Sequence, residues 1–168
     1  GENAVISRDP QGRASRLAGD KVWRPLAVPA RIGLGMGALS RTGRYLFAVN
    51  ADDAGGTIWD LDASRRLVEL PMKQGWVSPT FSRDESLAAH GYVDGHVFLY
   101  ELPSGRLRGS IQAHVGFSYS CAFSGDGRYL ATAGFDSTVR LWDTTTLQRI
   151  AEFRSTADSY WCVGVSPD

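Results

Sequence analysis

His114, Thr132 and Asp136 fall within one short stretch of the chain, and Trp142 follows them closely. A histidine that takes a proton, a hydroxyl that attacks and a carboxylate that orients the imidazole are the parts of a hydrolytic triad. Their setting argues against that use. Thr132 stands in the middle of "LATAGFDSTVRLWD" (130–143), a strand pattern, rather than on the strained elbow that presents a nucleophile, and no oxyanion loop is evident. The other chemically suggestive residues are sparser still. His90 and His96 flank a turn, yet no third ligand or Cys-x-x-Cys completes a metal site. The spaced glycines of "RIGLGMGAL" (31–39) lack the Lys-Ser/Thr and the helix of a phosphate loop, so that segment reads as the approach to a strand.

Composition narrows the class. The 168 residues are 43% hydrophobic and 21% charged, a globular balance. Eighteen acidic and eighteen basic side chains cancel, so no cationic surplus points to nucleic acid. Apolar runs are too short to span a bilayer, which predicts no membrane partner. Two cysteines, Cys121 and Cys162, are too few for a disulfide framework, and their offsets from the repeat serines aim them differently. The default setting is reducing and cytoplasmic, with no cofactor and no metal.

The elements that would position these residues repeat. "ALSRTG" (38–43), "TFSRDE" (80–85), "AFSGDG" (122–127) and "GVSPD" (164–168) place Ser40, Ser82, Ser124 and Ser166 at steps of 42 residues. "TIWD" (57–60), "FLYE" (98–101) and "RLWD" (140–143) follow the first three serines. Inside a unit, β-rich segments alternate with turn residues: "YSCAF", "RYLATAG", "STVRLWD" and "RIAEF" in the third copy, and "VSPTF", "SLAAHGY", "HVFLY" and "LRGSI" in the second. That predicts four strands per repeat.

Four-stranded antiparallel units of this period with a terminal Trp-Asp resemble the WD-repeat β-propellers, over residues 32–168. A second likeness, carried by "VSPTFSRDESLA" (77–88), is to TolB-like and prolyl-oligopeptidase-type propellers. Trp59-Asp60, Trp142-Asp143 and His114 favour the WD repeats. The expected fold is all-β: an incomplete propeller arc of about three blades plus the first strand of a fourth. The blades are placed at 32–76, 77–112 and 113–155, with the fourth starting over 156–168. Residues 1–31 are a linker or a degenerate blade; the prolines of "DKVWRPLAVPA" (20–30) argue against a central strand there. A seven-bladed ring of such repeats needs about 294 residues. The remaining blades are therefore expected from the same longer chain or from self-association.

The resemblance also assigns the polar quartet. In WD repeats the corresponding residues form a hydrogen-bond relay, here His114, Thr132, Asp136 and Trp142. An indole N–H only donates, a hydroxyl and a neutral imidazole accept and donate, and a carboxylate accepts. The second copy has Asp94 but His90 for Thr, Tyr100 for Trp and Met72 for the upstream His; the first has Trp59 and Asp52 or Asp53, but Ala48 for the hydroxyl.

Function then falls to the loops. The face that collects the approaches to first strands and the turns between second and third strands would carry Asn50, Trp76, Tyr92, Phe117, Tyr119, Phe135, Tyr160 and Trp161. Aromatics are enriched at protein-binding hot spots. The resemblance implies a non-catalytic scaffold that binds a protein or peptide. The alternative is an accessory or sensor propeller of a larger kinase or peptidase, with catalysis elsewhere.

Overall fold

The structure is a computed structural model that describes residues 5–8, 14–17, 23–26, 32–50, 56–70, 79–154, 156 and 162–166. It divides into two compact units, residues 1–73 and 74–168. The described regular structure is antiparallel β-sheet.

The first unit opens with a three-stranded meander, β1 (Val5–Arg8), β2 (Ala14–Leu17) and β3 (Trp23–Pro25), within the segment expected as linker or degenerate blade. Pro25 ends β3 on the sheet's edge, where a missing N–H costs nothing. Next comes a four-stranded sheet, β4 (Ile32–Leu39), β5 (Tyr45–Asn50), β6 (Gly56–Asp60) and β7 (Arg65–Leu70). The two sheets pack face to face. Ile6 and Leu26 meet Leu46, Ala48 and Leu61, while the Arg16 guanidinium donates to Gly43 O (2.6 Å) and pairs with Asp62 (2.8 Å).

The second unit holds two four-stranded meanders. One is β8 (Thr80–Phe81), β9 (Leu87–Gly91), β10 (His96–Glu101) and β11 (Arg106–Gln112); the other is β12 (Ser118–Phe123), β13 (Tyr129–Gly134), β14 (Thr138–Asp143) and β15 (Arg149–Arg154). Period-2 alternation gives each sheet two faces. Ala89, Val97, Leu99 and Ile111 of the first sheet bury against Cys121, Leu130 and Trp142 of the second. Each large apolar side chain so covered contributes about 1.5–3 kcal/mol.

The 42-residue landmark has a local cause. Ser40, Ser82 and Ser124 each accept, on Oγ, the N–H of the residue five further on, at 3.0, 2.9 and 3.0 Å, closing the turn between first and second strands. Ser82 and Ser124 donate in turn to Asp84 and Asp126, both at 2.6 Å. The third residue after the serine sits in the left-handed region, as Gly43, Glu85 and Gly127 do; glycine adopts it without strain.

Candidate functional site

The quartet is assembled around β13 and β14. The loop leaving β11 delivers His114, whose imidazole lies under the turn from Phe135 to Ser137 and is almost wholly buried. Its Nδ1 lies 2.9 Å from Asp136 Oδ1 and its Nε2 lies 2.9 Å from Thr132 Oγ1. The Trp142 indole N–H donates to the same Thr132 hydroxyl at 2.9 Å. The directions follow from chemistry. An ionised carboxylate only accepts, so Nδ1 carries the proton; Nε2 is then bare and takes the Thr132 O–H.

Asp136 is the hub. Burial opposes its charge, but hydrogen bonds from Thr138 (2.6 Å), His114 and the Val115 N–H (3.1 Å) hold its carboxyl at about 2. The Arg140 guanidinium adds a contact at 3.1 Å, donates to Ala113 O and reaches Glu152 at 2.9 Å. Thr138, Arg140 and Glu152 were absent from the sequence reading. Their signals were there: Thr138 stands two residues after Asp136 in a turn, and 138, 140 and 142 alternate on one strand face.

As a nucleophile Thr132 is disabled by position. Its side chain is 0% exposed and its oxygen already receives the Trp142 N–H. No carbonyl carbon could approach it. Among the described residues no group of His, Cys, Asp and Glu is placed to hold a metal. Cys121 is buried, its thiol pushed up to about 12 by desolvation, and Cys162 is exposed; both are free thiols.

The other copies show what replaces the relay. In the β8–β11 sheet His90 takes the position of Thr132 and stacks on Phe98 (5.6 Å between centroids) and Tyr100 (5.9 Å), so a ring column stands where hydrogen bonds would run. Burial lowers its imidazole to about 4, against the pull of the Gly91 carbonyl. In the β4–β7 sheet Ala48 offers no side-chain acceptor, and the buried Trp59 Nε1 has no hydrogen-bond partner among the described residues. Met72, Asp52 and Asp53 lie outside the described residues.

The two buried imidazoles set an acid limit. His114 is lowered too, by burial that outweighs Asp136. A histidine lowered by folding takes its proton first in the unfolded chain, so stability is full above the ordinary value near 6.5 and falls as pH drops towards the folded value. For His90 that loss is about 3 kcal/mol by pH 4. Thermal melting of the second unit should fall steeply between pH 6.5 and 4.5, less so in His90→Phe. A flat profile would contradict neutral burial.

Of the expected interaction face, the structure brings together Phe117, Tyr119 and Phe135. Phe117 stacks on Tyr119 (5.6 Å, 7°) and meets Phe135 edge-on (6.4 Å). Phe117 is 41% and Phe135 55% exposed, with exposed Val115 in the same loop. Tyr92 instead packs edge-on against Phe98 and His90 in the ring column, although its carbonyl accepts the Ser118 N–H. The Asn50 side chain and Trp76, Tyr160 and Trp161 lie outside the described residues.

Comparison with known proteins agrees with this geometry. The family model described as "WD domain, G-beta repeat" matches residues 105–143, which span the relay from His114 to Trp142. Residues 105–143 are similar to a WD repeat, and the chain resembles WD-repeat propellers in fold. WD repeat-containing protein 90 of Mus musculus is 28% identical over 120 residues, 71% of this chain and 6% of that protein. Jouberin of Rattus norvegicus is 31% identical over 99 residues, 59% of this chain and 8% of that protein. The chain therefore spans less than a tenth of the length of these curated relatives. A solved structure, "Crystal structure of RRP9 WD40 repeats", superimposes with a TM-score of 0.67 at 15% identity, covering 98% of this chain and 46% of that one, a likeness of fold.

Proposed function

We propose that this WD-repeat segment is a non-catalytic docking platform for a protein or peptide, and that its contact surface centres on Phe117 and Phe135. The observation that carries the reading is the coupling of these exposed rings to the buried relay. Asp136, next in sequence to Phe135, holds the Val115 N–H on one carboxylate oxygen and His114 on the other. Phe135 N–H donates to Phe117 O at 2.9 Å. Rings fixed in this way lose little entropy on binding, which favours them as anchors. Free thiols suit a reducing cytoplasm, the setting we assign.

A displayed random-peptide library panned against the protein should enrich ligands with an apolar anchor. Phe117→Ala and Phe135→Ala should each weaken those ligands by about 30-fold, the scale of a hot-spot residue. The relay would keep the fold, so melting should change little. Enriched peptides that bind both variants as well as the parent would refute this assignment.

A further inference from the structure

Positive charge is sorted by strand. Among the described residues, the last strands of the three four-stranded sheets, β7, β11 and β15, carry two arginines each and at most one glutamate. The other nine strands of these sheets hold Arg140 and no further Arg or Lys. A chain whose charges cancel overall thus gathers the cations of its sheets on the edge opposite β4, β8 and β12. Charge of either sign would keep an edge strand from pairing with its like. One sign in every sheet is more than edge protection requires.

In the second unit the arginines of β11 and β15 form one wall. Glu101 accepts from Arg106 (2.6 Å) and Arg108 (3.4 Å), and Glu152 accepts from Arg149 (2.6 Å) and Arg154 (3.4 Å). Arg140, the third guanidinium on Glu152, is balanced by Asp136. Each cluster therefore sets two guanidinium charges against one carboxylate, a surplus of one positive charge. The clusters meet at the turn into β15. Arg108 donates to Thr144 O (3.2 Å), and Leu147 fills the space that a Cβ on Gly109 would take. Arg106, Arg149 and Arg154 have more than half of their side chains exposed, and the exposed Leu107 stands between Arg106 and Arg108.

We propose that this wall is a second docking surface and that its partner is an acidic protein segment, which places one carboxylate on each arginine cluster and an apolar side chain against Leu107. Arginine's planar fork matches a carboxylate, and Glu101 and Glu152 already hold these forks in place, so little freedom is lost when a further carboxylate arrives. Arginine is also the cation enriched at protein interfaces. Nucleic acid fits less well, because a surplus of two charges is small beside the run of phosphates that a backbone presents. None of these residues belongs to the Phe117 and Phe135 cluster, so the two surfaces can be tested apart.

Fluorescence anisotropy with the full chain and a labelled decapeptide of alternating glutamate and alanine, with one central leucine, should detect binding that weakens as salt rises from about 50 to 200 mM. The same peptide with glutamine for glutamate should not bind. Arg106→Gln combined with Arg154→Gln, both at exposed positions, should weaken binding by about fivefold with melting unchanged. Glu152→Gln should strengthen it, because the surplus rises by one charge. Phe117→Ala should bind the peptide as the parent does. Equal binding of the glutamine peptide, unchanged affinity in the arginine double variant, weaker binding in Phe117→Ala, or tighter binding of a ten-nucleotide oligothymidylate would each overturn the proposal.

Discussion

Gly134→Ala is expected to destabilise the second unit by about 3–5 kcal/mol, more than an exposed strand glycine would, because the space beside its Cα belongs to an imidazole. A Cβ at Gly134 would stand 2.5 Å from His114 Nδ1 and 2.7 Å from its Cβ, and it would overlap Cγ. The obstacle cannot rotate away: both ring nitrogens are engaged, and the His114 backbone N–H is held by Gly95 O at 3.1 Å. Alanine must therefore expel the ring. That would leave Thr132 and Asp136 buried without it and would loosen the loop joining the two sheets of the unit. Chemical denaturation followed by Trp142 fluorescence checks it. A loss below about 1 kcal/mol, the ordinary scale for a modest overpacking, would mean that the imidazole is not locked.

Much of this was legible in the sequence, and the physical reasons differ by residue. The 42-residue step could be read because the repeat serines close their turns by local hydrogen bonds, so the fold demands one residue type at one spacing. Strand positions could be read because alternation is a local property. Gly134 could not. Its necessity comes from His114, twenty residues away and brought over it only by the pairing of β12 with β13. Arg140 was overlooked for a like reason: a charged residue in a strand reads as solvated surface, whereas here it bridges Asp136, Ala113 and Glu152. The interaction face was legible only in part. Aromatic type does not distinguish Phe135, which projects outward, from Tyr92, which tucks into the ring column.

The first 31 residues show the same division. The prolines of "DKVWRPLAVPA" (20–30) left a linker or a degenerate blade open in the sequence. The β1–β3 meander arises from pairing, and its contact with the next sheet rests on Ile6, Leu26 and Arg16, none of which belongs to the repeat signature.

Removing the relay's central hydroxyl should separate what the three sheets have in common from what only one of them has. Thr132→Val keeps the size and β-branching but strands two buried groups, the Trp142 N–H and the bare His114 Nε2. At about 1–3 kcal/mol for each unsatisfied group, the expected loss is about 3 kcal/mol. Trp142→Phe removes one of those groups along with indole area, so the double variant should cost less than the sum, with a coupling of about 1–2 kcal/mol. Trp59 is the internal control. Its N–H has no acceptor opposite Ala48, so Trp59→Phe sheds a desolvated donor together with some apolar contact and should cost less than Trp142→Phe. Equal losses at the two tryptophans would show that apolar packing alone holds these positions, and that the hydrogen-bonded quartet contributes nothing beyond it.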